Sequence, residues 1–150
     1  MKRVLLRGPF LTSSGYGVHS RQVARWALSK KDWDVKVQAT PWGMTSWVLD
    51  KNDQNGLVGE IMDRTINIQP NQVAPWDLTL QVQLPNEWDP NLGKVNIGIT
   101  AAVETDRCNP EWAVACNRMD AIAVPSTFTK RTLENSGDIS VPIIVIAESF

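Results

Sequence analysis

The chain has 150 residues, of which 43% are hydrophobic and 21% are charged. Ordinary domains contain about 100–200 residues, so these values predict one globular domain and exclude a disordered, collagen-like or coiled-coil chain. The 15 Lys and Arg residues against 16 Asp and Glu residues give a formal charge of −1 with no basic stripe, which argues against nucleic acid as a partner.

The cysteine and histidine counts argue against disulfide and metal scaffolds. Two cysteines are too few for a disulfide framework, and a single His leaves too few soft ligands for a zinc cluster. We therefore expect no metal site and a cytoplasmic location. The N-terminal stretch MKRVLLRGPF has a short apolar run that Arg7 interrupts, so it fits neither a signal peptide nor a membrane span.

The first forty residues predict a strand, a helix and a second strand. Arg3–Leu6 is a short apolar run, and the Gly- and Ser-rich stretch Thr12–Gly17 is typical of a loop. Val18–Lys30 has helical periodicity and Asp34–Ala39 alternates as strands do. This βαβ order implies a right-handed crossover and a parallel sheet. The predicted apolar helix face consists of His19, Val23, Trp26 and Ala27.

The middle of the chain has a weaker pattern. Pro41–Gly59 lacks a clean period, and we expect a loop with one short helix there. Thr65–Gln69 and Leu78–Val82 each alternate apolar and polar residues. Both segments therefore predict strands, separated by a turn that contains Pro and Asn.

The last third alternates strands and helices clearly. Asn109-Pro110 and Ser126 are predicted to start two helices, and Gly137 stands where a helix C-terminal glycine belongs. The alternation predicts an open, mostly parallel Rossmann-like α/β sheet with helices on both faces, whose ligand crevice lies at the carboxyl ends of the strands. The predicted elements are the strands Val95–Thr100, Ala121–Val124 and Pro142–Ile146 and the helices Glu111–Met119 and Phe128–Asn135.

A glycine-containing stretch before the first helix is a candidate phosphate site. Gly15-Tyr16-Gly17 would let backbone N–H groups approach an anion at the positive helix end, although a structural turn explains the same residues equally well. Ser20 occupies the position of the third small residue in a dinucleotide fingerprint, which disfavours NAD. His19, the sole His, is predicted either to touch substrate or phosphate or to pack within the fold.

Charged residues also follow the strand predicted over Val95–Thr100. Glu104, Thr105 and Asp106 stand there, where charge is costly unless it is solvated or functional. The two carboxylates could form a general acid and base pair on an extended backbone. A plain loop leading into a helix is the alternative.

Tryptophan is in excess over the other aromatic residues, with 7 Trp against 3 Phe and 1 Tyr. A flat apolar ring suits both core filling and the CH face of a sugar. Trp26 and Trp33 are expected to be structural. The tryptophans in or beside the candidate cleft loops are Trp42, Trp47, Trp88 and Trp112.

Taken in order, these segments resemble the N-terminal half of the GT-B glycosyltransferases, specifically the retaining nucleotide-sugar enzymes of the family-four type. The most specific part is Met119–Ser126, with its Asp-x-x-x-Val-Pro-Ser element, followed by Phe128 and Asn135–Gly137. The other matching segments are Val4–Phe10, Ser14–Arg21, Glu104–Asp106 and Pro110–Trp112.

The resemblance implies that residues 1–150 form a single Rossmann-like domain, the acceptor-side half of a glycosyltransferase, without the C-terminal donor-binding domain. It implies that Gly15, Tyr16 and Gly17 approach the donor diphosphate and that Glu104 and His19 are the catalytic candidates. The complete enzyme would take a nucleotide-sugar donor, with no tightly bound cofactor, and a carbohydrate or glycosylated acceptor. The residues implied to line the acceptor cleft are Arg7, Trp42, Thr105, Asp106 and Ser126.

Three readings of function follow from these observations. Because transfer requires donor and acceptor in one geometry, we expect the isolated chain to fold without transferring sugar. An alternative is a stand-alone binding or oligomerisation module of the same fold, which forms a homodimer through its exposed cleft face. A weaker alternative is a small nucleotide- or flavin-binding protein.

Overall fold

The computed structural model describes residues 2–11, 15–39, 50, 52, 56–65, 76–100, 110–135 and 137–146. The strands are β1 (Lys2–Gly8), β2 (Trp33–Ala39), β3 (Trp76–Val82), β4 (Gly93–Ile99), β5 (Ala121–Val124) and β6 (Ile143–Val145). The helices are α1 (Gly15–Leu28), α2 (Leu57–Arg64), α3 (Pro110–Asn117) and α4 (Thr127–Glu134), with a 3-10 turn at Pro85–Glu87. The six strands form one all-parallel sheet in the order β2-β1-β3-β4-β5-β6, which confirms the predicted Rossmann-like α/β class.

The strand order reverses between β1 and β3. From β1 the chain moves outward to β2 and then returns to β3 on the other side of β1. Thr65 adds a parallel bridge to Val37, on the side of β2 that β1 leaves open. This bridge agrees with the strand predicted from Thr65, although residues 66–69 of that prediction lie outside the described part. The boundary between the adjacent strands β1 and β3 is therefore the topological switch point, and open α/β sheets bind ligands outside the carboxyl end of this point.

Two apolar clusters hold the layers together, one on each face of the sheet. The helices α1 and α2 pack against the face that bears Val4, Leu6 and Leu80, and Phe10 completes that core. On the opposite face, α3 and α4 enclose a smaller cluster with the connection between β3 and β4. That cluster consists of Trp88, Cys116, Met119, Ile122, Val124 and Leu133.

The buried face of α1 differs from the predicted one. Its most buried positions carry small residues and one arginine, whereas Trp26 is 50% exposed. Small side chains let a helix approach a sheet closely, so size outweighed hydrophobicity here. Arg21 fastens this face to the end of β1, because its Nη1 donates to the carbonyl oxygen of Phe10 at 3.1 Å. The buried residues of α1 are Gly17, Ser20, Arg21, Ala24 and Ala27.

A short helix was expected within Pro41–Gly59, but the helix observed there overlaps that range only at its first three residues. It is α2, which starts after Gly56, a residue with a left-handed φ of 86°. Leu57, Val58 and Ile61 are its main buried side chains. A helix of eight residues that Gly59 interrupts gives little periodic signal, which explains the displaced prediction.

Gly137 stands just after the end of α4, where a helix C-terminal glycine was predicted, but it lacks the left-handed conformation typical of such glycines. Its φ is not positive, and α4 ends at Asn135 in right-handed geometry. A Cβ at Gly137 would lie 2.9 Å from the Cβ of Ala113. The glycine therefore serves a close approach to α3 rather than a turn.

Ser126 caps α4 as predicted. Its Oγ accepts a hydrogen bond from the backbone N–H of Thr129 at 3.1 Å. We expect Ser126→Ala to lower the free energy of unfolding by about 1 kcal/mol, because that N–H loses its acceptor. Ser126→Asp retains an acceptor and should unfold close to wild type in urea. Equal losses in both variants would contradict the capping role.

Candidate functional site

The carboxyl ends of β1 and β3 lie in close contact at the switch point. A Cβ at Gly8 would lie 2.6 Å from the carbonyl oxygen of Val82, so only glycine allows the two strand ends to approach this closely. The chain turns directly after β1, with the N–H of Phe10 donating to the carbonyl oxygen of Gly8 at 2.9 Å. It then enters α1 at Gly15. The start of α1 therefore lies at the same edge of the sheet as the ends of β1 and β3.

Arg7 places a cation on the face of the sheet opposite α1. Its Nη1 donates to Gln81 Oε1 at 3.4 Å, to Gln83 Oε1 at 3.1 Å and to the carbonyl oxygen of Glu87 at 2.7 Å. Burial lowers the pKa of Arg7 from its usual value, and the carboxylates of Asp89 and Glu87 oppose this shift. A guanidinium nevertheless stays charged in proteins, so a positive charge stands beside the switch point.

A buried polar network fixes the connection that follows β3. Gln81 donates from Nε2 to Thr79 Oγ1 at 3.1 Å and to the carbonyl oxygen of Asp89 at 2.7 Å. Gln81 Oε1 accepts from the N–H of Asp89 at 2.7 Å, and Thr79 donates to Asn96 Oδ1 at 2.7 Å. These side chains are buried. The network holds the Leu84–Asp89 connection against the sheet at the carboxyl end of β3.

Sequence reasoning did not identify this network, although a signal was present. Thr79 and Gln81 occupy alternate positions along the central strand β3, and Gln83 continues the alternation just beyond its end. Central strands of parallel sheets are usually apolar on both faces. A polar stripe at period two along such a strand therefore indicates a buried hydrogen-bond network on one face.

The predicted phosphate residues occupy the start of α1 rather than a loop before it. Gly15, Tyr16 and Gly17 form the first helical turn. The first N–H groups of a helix have no acceptor within it and favour a negative charge. The anion site predicted there stays a prediction.

The structure does not bring the other predicted residues into one cluster. His19 is half-buried and lines a groove on the α1 face of the sheet, whereas Arg7 contacts side chains of the opposite face. Ser126 lies at the carboxyl end of β5, two strands away from β3. The remaining site predictions, Trp42, Glu104, Thr105 and Asp106, lie outside the described residues.

The tryptophans that the structure describes have packing contacts. Trp88, predicted to lie in the cleft, is only 8% exposed, and its Nε1 donates to the carbonyl oxygen of Gln81 at 3.0 Å. Trp112 packs partly buried against the cluster around Trp88. Trp26 and Trp33 meet edge to face with ring centroids 5.4 Å apart, in keeping with a structural role. Trp47, like Trp42, lies outside the described residues.

An apolar groove of about 420 Å³ lies between α1 and β4–β6. Trp26, Ile144 and Ile146 at this groove are 50%, 51% and 59% exposed. Within the described ranges, no helix packs over these strands on the α1 face. Exposed apolar surface of this kind marks interaction sites. The groove is distinct from the crevice at Arg7, because the two lie on opposite faces of the sheet.

The described residues hold no group of three or more His, Cys, Asp or Glu side chains that could bind a metal ion. No helix among those residues is long and apolar enough to cross a membrane. Comparison of the chain with known protein families, with curated proteins and with solved structures found no match. The architecture thus defines an open, parallel α/β protein of Rossmann-like type, with the partly buried guanidinium of Arg7 near the carboxyl end of its switch point.

Proposed function

We propose that this chain is the acceptor-side domain of a retaining GT-B glycosyltransferase that uses a nucleotide-sugar donor. The observation that carries the proposal is the carboxyl edge at the switch point. The glycine-led start of α1 and the cation of Arg7 both stand near this edge, on opposite faces of the sheet, and buried hydrogen bonds fix the connection after β3. Polar crevices of this kind at a switch point are the usual ligand sites of open α/β sheets.

Each element has a separate part in the proposed reaction. The first turn of α1, at Gly15–Gly17, receives the donor diphosphate through its N–H groups. The acceptor lies near Arg7, and the resemblance assigns Trp42, Thr105, Asp106 and Ser126 to the acceptor side as well. Glu104 and His19 are the candidates for catalysis. His19 lines the groove on the α1 face of the sheet. For His19 to act on the substrate, the substrate must therefore extend to that face.

The proposal includes a requirement for a second, donor-binding domain and a cytoplasmic location. Orientation of two bound reactants can supply about 7–11 kcal/mol of a reaction barrier, and one face of a cleft cannot provide that orientation. We expect the 150-residue chain to give no transfer from UDP-glucose or GDP-mannose to any of a panel of methyl glycosides. Turnover by this chain alone would contradict the requirement for a second domain.

Direct binding tests the proposal without turnover. Saturation-transfer NMR with a panel of neutral methyl glycosides should show protein-to-sugar transfer for at least one sugar. Ile144→Asp, in the groove on the other face, should leave this signal unchanged. Absence of transfer for the whole panel, or its loss in Ile144→Asp, would contradict an acceptor site at the carboxyl edge.

The apolar groove favours a second candidate function, a binding module that forms a homodimer. A second copy that covered Trp26 and Ile144 would remove exposed apolar side chains from water. Sedimentation velocity should then show a concentration-dependent dimer that Ile144→Asp abolishes. Val114, 53% exposed on α3, provides the matched control, because Val114→Asp should leave the dimer intact. A strict monomer at every concentration would remove this candidate.

A further inference from the structure

Two buried polar atoms that have no partner among the described residues belong to side chains paired in register near the carboxyl edge. Arg7 on β1 is paired in register with Gln38 on β2. Residues in register on neighbouring parallel strands project from the same face, about 4.8 Å apart. Arg7 Nε and Gln38 Oε1 are both sealed from solvent, and neither has a hydrogen-bond partner among the described residues. A donor and an acceptor are therefore both unsatisfied at the end of β1.

The hydrogen bonds of Arg7 leave one edge of its guanidinium unused. All of its hydrogen bonds within the described part come from Nη1. Nη2 makes none of them and, unlike Nε, is not sealed from solvent. The Nε–Nη2 edge is the planar fork that binds a carboxylate or phosphate through two parallel hydrogen bonds.

The neighbouring carboxylates do not occupy this edge. Glu87 accepts from the N–H of Leu84 at 3.1 Å, and Asp89 accepts from the N–H of Asn91 at 2.9 Å. Burial lowers the pKa of Arg7, and this is the larger effect. The two carboxylates raise that pKa by electrostatic attraction alone, without a hydrogen bond to Arg7. Buried charges are normally paired, so the arrangement favours an anionic ligand at Arg7.

We propose that Arg7 and Gln38 form a subsite for a phosphorylated or carboxylated sugar. Two oxygens of the anionic group accept from Nε and Nη2 of Arg7, and an adjoining hydroxyl donates to Gln38 Oε1. The identity of this ligand as the acceptor rests on the proposed function, whereas the oxyanion site rests on the geometry of Arg7 and Gln38 alone. Because Nε and Oε1 are sealed in this state, the ligand approaches through Nη2, and the side chain of Arg7 turns to meet it.

The side-chain Nε–H signal of Arg7 in ¹H–¹⁵N NMR reports on this site directly, and its loss in Arg7→Lys assigns it. The probes are inorganic phosphate, acetate and glucose 6-phosphate, with sodium chloride at matched ionic strength. We expect a saturable shift with the oxyanions and none with chloride. Glucose 6-phosphate should bind about threefold to tenfold more tightly than inorganic phosphate, the equivalent of one net hydrogen bond. Stronger binding of acetate than of phosphate would identify a carboxylated ligand.

Matched variants separate binding from folding. Gln38→Leu should abolish the advantage of glucose 6-phosphate and leave binding of inorganic phosphate unchanged. Gln83→Leu removes one Nη1 contact and leaves the fork free, so phosphate should still bind. Arg3→Gln alters an exposed arginine on the same strand, which lies over the Trp76 ring, and should change nothing.

Three results would overturn the subsite. The Arg7 signal could stay unmoved by every oxyanion, or chloride could move it equally. Alternatively, the Gln38→Leu substitution could move the Arg7 signal in the absence of any ligand, while phosphate leaves it unchanged. That result would show a direct hydrogen bond between Arg7 and Gln38. Phosphate binding at Arg7 without any glycoside binding would leave the subsite standing and contradict the proposed function. Glycoside binding without phosphate binding would contradict the subsite and leave the proposed function standing.

Discussion

Trp88→Ala should lower the free energy of unfolding by about 3–5 kcal/mol, the usual cost of removing a buried tryptophan. The ring of Trp88 is 8% exposed and belongs to the cluster beneath α3 and α4. Its loss also removes the Nε1 donor to the carbonyl oxygen of Gln81. Since domains are stable by only about 5–15 kcal/mol, much of the protein should be unfolded at moderate urea.

Urea denaturation followed by circular dichroism measures this loss. Trp88→Phe is the control, because it keeps one aromatic ring and removes the Nε1 donor together with part of the ring volume. It should cost less than Trp88→Ala, because a smaller cavity is left. If the free energy of unfolding of Trp88→Ala were within about 1 kcal/mol of the wild-type value, Trp88 would not be a core residue. That loss is roughly the value of one net hydrogen bond. A sugar-binding position at the surface would then become the better interpretation of this tryptophan.

Gly98→Ala should destabilise the protein by about 1–3 kcal/mol through overpacking. A Cβ at Gly98 would lie 2.6 Å from two ring carbons of Trp88, far inside van der Waals contact. The direction of the stability change is informative. Without a clash, replacing glycine by alanine within a strand stabilises a protein by about 0.5–1 kcal/mol. A stabilised Gly98→Ala protein would contradict the packing of Trp88 on β4.

The two substitutions should be strongly coupled. In the Trp88→Ala background the cavity accepts the added methyl group, so Gly98→Ala should cost little. Contacting residues show coupling of about 0.5–3 kcal/mol in double-mutant cycles. Additive losses would mean that Trp88 and Gly98 do not touch.

Local features of the sequence predicted the fold well. Ala121–Val124 was predicted with its observed bounds, because an apolar run stands between Asp120 and the Pro125-Ser126 pair. Ser126 was identified as a cap because its hydroxyl acts on the next turn of the same helix. Such signals need only a few neighbouring residues.

Local sequence signals do not predict contacts between residues that are far apart in the chain. The two side chains that bind Arg7 Nη1 are 74 and 76 residues away in the sequence. Their pairing depends on which strand lies next to β1, and that is a property of the strand order. The buried face of α1 was mispredicted for a related reason, since closeness to the sheet selected small residues there. The roles of Glu104, Thr105 and Asp106 stay predictions.

Backbone amide shifts on addition of glucose 1-phosphate test most directly whether the ligand site is the crevice between β1 and β3. We expect shifts at the end of β1, in the first turn of α1 and at Gln83 and Leu84. Amides around Trp26 and Ile144 in the groove should stay fixed. Shifts confined to the groove, or no shifts at saturating sugar phosphate, would contradict a ligand crevice at the switch point.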